Sequence, residues 1–390
     1  MKTDLICPYC IRKLKRFAFR CESCGSTSDP DKLALGAFYL RGTIPHCKNP
    51  ACGGRTLTVL CPFGEDSGAA DICGQPLPSD IKQYRNYLRF SILGTTGAGK
   101  TNYLTMMIQQ LRSSKGQDNP ASLYMEHVDD ITRTTFRDNL DFILRNKVPI
   151  GPTSRNAVVI PQLWRIRQND RPAASLTIFD GAGEDQEHPQ ERIVRYIYGS
   201  KQFILLIDPL SIASLRQGLT PEAILGSSHE TDPDGPLQLH NGADMVASIA
   251  NFIRKNAGMD VDKPIAAPVA VVFTKLDLFF DQFGNATVTR ESPHLRAGCF
   301  LEADSLAVDR EIRSWLIEHG RQGPENDGEE FVRVVERNFK TVRFFGVSSF
   351  GVQPTEYKVL RDIRPHRVLD PLMWLLAQDH IIPTRKPERS

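Results

Sequence analysis

The chain has 390 residues, enough for roughly two or three domains. Its 41% hydrophobic and 24% charged residues are ordinary for a globular protein in water, and a formal net charge of +2 supplies no overall field for nucleic acid. No run of about 18 apolar residues predicts a membrane span. The start, Met1 to Cys7, holds no apolar signal core, so a cytoplasmic protein is expected.

Eight of the nine cysteines precede residue 74, and Cys299 stands apart. In a cytoplasmic chain such clustering points to metal rather than disulfides. Cys7-Pro8-Tyr9-Cys10 and Cys21-Glu22-Ser23-Cys24 are C-x-x-C pairs, each able to form a tight knuckle with both thiolates on one side. Two knuckles facing each other predict a four-thiolate Zn²⁺ site in a first zinc ribbon, residues 1–40. A redox C-x-x-C would instead be single and would open a helix. Cys47, Cys52, Cys61 and Cys73 predict a second, looser Zn²⁺ site in a ribbon over residues 41–80, with His46 able to replace one thiolate. The alternative for some of them is a plain buried thiol. Modules this small have little core, so metal supplies their folding energy, and four filled positions make the sites structural.

Between the first two pairs, Ile11 to Arg20 interleaves basic residues with Phe17 and Phe19. A solvated ribbon face is favoured there, with nucleic-acid binding as the alternative. Pro76 to Asp80 reads as a linker, and a larger domain is expected over residues 84–390.

That domain opens on Gly94-Thr95-Thr96-Gly97-Ala98-Gly99-Lys100-Thr101, which fits the P-loop pattern. Asn86 to Leu93 before it reads as a strand, and Asn102 to Leu111 after it repeats apolar residues at helical spacing. Strand, glycine loop and helix are what a bound phosphate needs: backbone amides turned inward and the positive end of a helix. Lys100 is expected on the β- and γ-phosphates, the Thr101 hydroxyl on Mg²⁺, and Asn102 among the nucleotide contacts.

Further along, Ala174 to Phe179 is an apolar strand ending in Asp180-Gly181-Ala182-Gly183. Asp180 can hold Mg²⁺, and Gly183 can bring its amide to a γ-phosphate, as a switch loop requires. Lys201 to Ile207 is a buried strand ending at Asp208-Pro209. Pro268 to Phe273 leads into Thr274-Lys275-Leu276-Asp277, where Asp277 can accept the N1–H and exocyclic amine of guanine, which adenine lacks. The Lys275 stem can lie along the base. Val342 to Val347 ends at Ser348-Ser349, whose amides can reach the guanine O6.

In this order the four motifs resemble those of translation-factor-like P-loop GTPases, over about residues 84–380. Phe90 to Gly94, Ile178 to Glu184 and the helix after Asp370 look most like bacterial double-GTPase domains of predicted conflict systems. The resemblance implies GTP as ligand, an unknown protein partner such as another GTPase or an effector, and three departures. Thr274 stands where the family usually has Asn. Glu184 stands where Ras-like proteins have Gln; a carboxylate there could be a general base but repels the γ-phosphate, so hydrolysis is expected to be slow unless a partner adds an arginine finger. A solvent-facing Glu184 is the alternative, and His188 is a second candidate nearby.

The third departure is length. Leu123 to Asn146 reads as one or two extra helices within an insert at about 115–150. Ala157 to Ile160 reads as a strand, and Thr153, with Ser154 as rival, is the expected switch hydroxyl on Mg²⁺. A second insert, about 211–242, and the span Asp281 to Gly298 are polar and loop-like. The expected fold is α/β, a mostly parallel sheet with helices on both faces, carrying small N-terminal zinc modules. The expected function is an Mg²⁺-dependent GTPase switch whose zinc ribbons dock a partner. A GTP-holding scaffold, an ATPase and a nucleic-acid-binding regulator are the alternatives.

Overall fold

The computed structural model describes residues 5–15, 17–28, 51–52, 57–63, 73–78, 87–94, 97–114, 116–151, 161–180, 200–217, 219–220, 242–320, 326–355 and 359–386. The chain divides into two units, residues 1–87 with 190–199, and residues 88–189 with 200–390.

In the first unit, β1 (Ala18–Cys21) pairs antiparallel with both β2 (Thr27–Ser28) and β3 (Leu57–Leu60). The burial of Tyr9, Leu14, Phe17, Phe19, Leu60 and Leu77 gives it a small apolar centre. The β1–β3 pairing, Ala18 opposite Leu60 and Cys21 opposite Leu57, crosses the boundary expected near residue 40. The two expected ribbons therefore share one sheet.

The second unit is built on a seven-stranded sheet. Its strands are β4 (Tyr87–Gly94), β5 (Leu123–His127), β6 (Gln162–Gln168), β7 (Arg171–Asp180), β8 (Gln202–Ile207), β9 (Val269–Phe273) and β11 (Val342–Gly346). A short β10 (Phe300–Leu301) lies outside it, paired with β12 (Thr384–Arg385). The sheet order is β11-β9-β8-β4-β7-β6-β5. Neighbours from β4 to β11 run parallel, while β5–β6 and β6–β7 are antiparallel. Strands β8 and β9 are buried at every residue, as central strands covered on both faces must be.

Side chains alternate between two cores. Ile204, Leu206, Ala270 and Val272 face a core shared with α1 (Lys100–Ser113) and α6 (Asp370–Gln378). On the opposite face Phe273 meets Trp315 of α4 (Glu302–Gly320) at 6.2 Å and Phe331 of α5 (Asp327–Asn338) at 5.5 Å, ring to ring. Helices thus cover both faces, as expected. α6 is apolar and buried from Pro371 to Ala377, with Trp374 against Phe345. α3 (Gly242–Ala257) completes the described long helices together with α2 (Asp130–Leu144).

Two local expectations are corrected. Leu123 to His127 forms the edge strand β5 and not a helix; its apolar residues Leu123 and Met125 alternate and point inward, and the helix starts only where Asp129 caps α2 through the Thr132 amide at 2.7 Å. The span Asp281 to Gly298 is not loop alone: helical turns at Phe280–Phe283, Thr287–Thr289 and His294–Ala297 occupy it. The expected strand at Ala157 to Ile160, and most of the expected insert at 211–242, lie outside the described residues.

Candidate nucleotide and metal sites

The glycine motif sits at the carboxyl end of the central strand β4. Gly94 lies flush against β8, where a Cβ would come within 2.3 Å of the Leu206 carbonyl oxygen. Gly97 and Gly99 take left-handed φ angles of 80° and 68°, which side-chain-bearing residues adopt at a cost. The turn they make delivers the chain into α1, whose N-terminus has neither a side-chain cap nor an acidic residue in its first turn. Such an end, with the positive pole of the helix dipole, fits an anion. Lys100 Nζ donates to the Gly94 carbonyl at 3.3 Å, so its ammonium lies over the loop. Ala98 is buried and Thr101 half-buried in the first turn. Thr95 and Thr96 lie outside the described residues.

Asn102 is held by the backbone of Ile150. Its buried side chain donates to the Ile150 carbonyl at 3.0 Å and accepts the Ile150 amide at 2.9 Å. It therefore tethers the segment leading to Thr153 to the first turn of α1. Thr153 and Ser154 themselves, like Gly183, Glu184 and His188, lie outside the described residues. Asp180 ends β7, and β7 is the neighbour of β4 in the sheet.

The second half of the site is built at the ends of β9 and β11. Thr274 is buried; its amide and hydroxyl both donate to the Ile207 carbonyl, at 3.0 and 3.2 Å, bracing β9 against β8. Asp277 sits on the helical turn Leu276–Phe279, with the Ser348 side chain beside its carboxylate. Burial pushes the Asp277 carboxyl above the usual range, and the nearby Ser348 hydroxyl pulls the other way. Ser348 is itself fixed. Its backbone pairs with His366 at 3.0 and 2.8 Å, and its Oγ accepts the Gly351 amide at 2.8 Å. Ser349 is half-buried beside it.

Gly351, at φ 69°, closes this loop against Arg364, whose carbonyl oxygen would lie 2.0 Å from an added Cβ. Gly351→Ala should therefore cost about 1–2 kcal/mol for the left-handed backbone alone, with the backbone clash added. The expected result is a lower thermal midpoint, and an unchanged midpoint would contradict this loop geometry.

Sequence reasoning passed over Asp208. It follows β8, is buried, and its Oδ2 meets Lys275 Nζ at 2.6 Å. The available signal was an acid placed directly after an unbroken apolar strand.

A second titratable group is also new. His294 Nε2 lies 3.5 Å from Asp304 Oδ2 and 3.9 Å from Asp370 Oδ2. Arg367 ion-pairs with both carboxylates. The guanidinium already supplies the positive charge that a cation would bring, and His294 accepts the Leu301 amide at 3.1 Å with burial holding its pKa down. This is a buried ion-pair network that fixes the start of α6.

The cysteines group differently from the expected sets. Cys7, Cys10, Cys61 and Cys73 come together, all buried, and Cys21, Cys24 and Cys52 form a second group. Cys47 and His46 lie outside the described residues. In the first group Cys7–Cys73 and Cys10–Cys61 are 3.7 and 3.8 Å apart at sulfur, and Cys61–Cys73 3.1 Å. In the second, Cys21–Cys52 is 3.7 Å. Ligands about 2.3 Å from a tetrahedral Zn²⁺ lie about 3.8 Å from each other, which the Cys7–Cys73, Cys10–Cys61 and Cys21–Cys52 spacings match, while Cys61–Cys73 is closer. Burial pushes the Cys7 thiol up in the absence of a cation.

The physical reason for the regrouping is the sheet. β3 runs back along β1 and returns Cys61 to the first knuckle. Closing a loop of 51 rather than 11 residues adds only about 1.4 kcal/mol. That is far below the roughly 10–16 kcal/mol of structural zinc binding.

No protein-family model matches the chain, and no curated protein matches it. Among solved structures it is similar to the signal recognition particle receptor SRb-GTP/SRX complex from Chaetomium thermophilum, at 15% identity and TM-score 0.29, over 70% of this chain and 95% of that one. It is similar to sup35 complexed with GDP at 12% identity and TM-score 0.26, over 73% of this chain and 44% of that one. It is also similar to the S. cerevisiae Ski7 GTPase-like domain bound to GTP, at 15% identity and TM-score 0.30, over 80% of this chain and 53% of that one.

Proposed function

We propose that the chain is a guanine-nucleotide-binding switch that holds GTP with Mg²⁺ and hydrolyses it slowly. The observation that carries this reading is the placement of two constellations at the carboxyl ends of β4 and β9, parallel strands with β8 between them. The glycine turn, uncapped α1 N-terminus and Lys100 follow β4; Asp277, beside Ser348, follows β9. The first suits phosphates, and the second suits a base presenting two neighbouring donors.

In this reading the amides of residues 94–101 and Lys100 bind the β- and γ-phosphates. Thr101 and Asp180 would hold Mg²⁺, with Thr153 or Ser154 completing its shell. The ion would neutralise charge on the phosphate oxygens. Asp277 selects guanine, with Ser348 orienting its carboxylate and the Ser349 amide adding a donor. Gly183 senses the γ-phosphate, and Glu184 sets the slow hydrolytic rate. Asn102, by holding Ile150, links the phosphate helix to the switch segment. The cysteine groups hold two structural Zn²⁺, Cys47 completing the second, and this unit docks a protein partner.

Asp277→Ala tests the base assignment. GTP affinity should fall about a hundredfold while ATP affinity stays constant, because only guanine loses paired donors. Parallel losses for both nucleotides would contradict it. Guanine recognition needs the ionised carboxylate, and burial raises its pKa. GTP affinity should therefore weaken as pH falls through that raised value, sooner than for an exposed aspartate. Multiple-turnover phosphate release should be detectable and lost in Lys100→Met; GTP binding without release would assign a scaffold.

A further inference from the structure

Asp208 touches three parts of the site at once. Its Oδ1 accepts the Leu210 amide at 3.0 Å, fixing the turn after β8. Its Oδ2 pairs with Lys275 Nζ at 2.6 Å, with side-chain exposures of 7% and 17%. The same Oδ2 lies 3.6 Å from where a Cβ on Gly97 would sit. A buried carboxylate this close to a phosphate-facing loop repels an anionic ligand unless a cation cancels it.

Lys275 is placed to be that cation, and its backbone is unusual. It takes a left-handed φ of 54° directly after β9. A residue held in this region marks a conformation imposed by its surroundings, and such strain gathers at binding sites. Here the backbone turn carries the Lys275 side chain back towards β8 and the glycine loop, while Asp277, two residues on, faces Ser348.

We propose that Asp208 is a positioning residue for the nucleotide site: it anchors Lys275 Nζ beside Gly97, so that the lysine stem is held for the base and the phosphate loop faces a neutral ion pair. The inference rests on the nucleotide reading given above. It makes the two residues interdependent in a defined direction. Losing Lys275 alone removes the cation 2.6 Å from a buried carboxylate beside the phosphate loop, which is worse than losing both charges.

A double-mutant cycle on the full chain reads this directly, with GTP dissociation constants measured for the wild type, Asp208→Asn, Lys275→Met and the double variant. Lys275→Met should weaken GTP binding about a hundredfold, and adding Asp208→Asn should recover at least about tenfold of it. Lys275→Arg, which keeps the ion pair, should stay within about fivefold of wild type. Thermal midpoints without nucleotide are recorded for every variant. Losses that multiply, or a Lys275→Arg loss equal to that of Lys275→Met, would overturn the role of Asp208. So would midpoints that fall while GTP affinity per folded molecule does not change, since the pair would then serve the fold alone. Wild-type protein that binds no nucleotide would instead remove the nucleotide reading, and this proposal with it.

Discussion

The double variant Cys7→Ser/Cys61→Ser should retain one zinc per chain, and Cys7→Ser/Cys21→Ser should retain none. The two outcomes follow from the nested grouping. Cys7 and Cys61 serve the same group with Cys10 and Cys73, whereas Cys21 belongs to the group with Cys24 and Cys52. A sequential grouping, each ribbon closing on its own cysteines, predicts the reverse counts. Metal analysis after gel filtration in reducing buffer separates them.

The energetic consequence is large. Each structural zinc is worth roughly 10–16 kcal/mol of folding in small domains, more than the apolar centre of this unit can replace. Stripping zinc with a strong chelator should therefore abolish the folded first unit. β1 links the two groups, because Cys21 ends it and its partner strand β3 leads into Cys61. Loss of either ion should thus loosen the other. Protease cleavage confined to residues 1–87 after chelation is the expected readout, and an unchanged cleavage pattern would contradict a metal-dependent fold.

Lys100→Met should remove triphosphate binding almost entirely. Lys100 is the basic residue of the glycine turn, and its ammonium already lies against the loop carbonyl of Gly94. Truncating one partner of a charge-assisted contact with phosphate costs about 2–5 kcal/mol, or roughly thirtyfold to several thousandfold in affinity. The loss should be greater for GTP than for guanosine, which lacks phosphates. Because Lys100 is only half-buried at the start of α1, the thermal midpoint without nucleotide should stay within a few degrees. Equal losses for GTP and guanosine would show that the substitution damages the fold.

Much of the second unit could be read from the sequence because its central strands are unbroken apolar runs. Phe203 to Ile207 and Val269 to Phe273 are buried on both faces, so no polar residue interrupts the signal. The glycine turn was legible for a similar reason, since few residues other than glycine accept the backbone angles at Gly97 and Gly99. Strand β6 was not foreseen. Arg165 and Arg167 lie within it and pair with Glu126 of β5, so its charges are satisfied across the sheet in a way that sequence alone does not reveal. β5 was mistaken for helix because only two residues separate it from α2, and the alternation of Leu123 and Met125 is short.

The candidate site shows the same division. Motif residues stand out in the sequence because each has a chemistry tied to its spacing. Asp208 and the role of Asn102 do not, because both act through partners distant in sequence: Lys275 lies 67 residues away and Ile150 lies 48 residues away. The cysteine grouping was misread for a related reason. C-x-x-C pairs are interchangeable as knuckles, and only the β1–β3 pairing decides which face each other.

Competition binding of GTP and ATP to the purified wild-type protein in Mg²⁺ tests the central claim most directly. The Asp277–Ser348 arrangement predicts GTP binding at least about a hundredfold tighter than ATP, since adenine offers the carboxylate no matching pair of donors. Equal affinity, or preference for ATP, would contradict a guanine site.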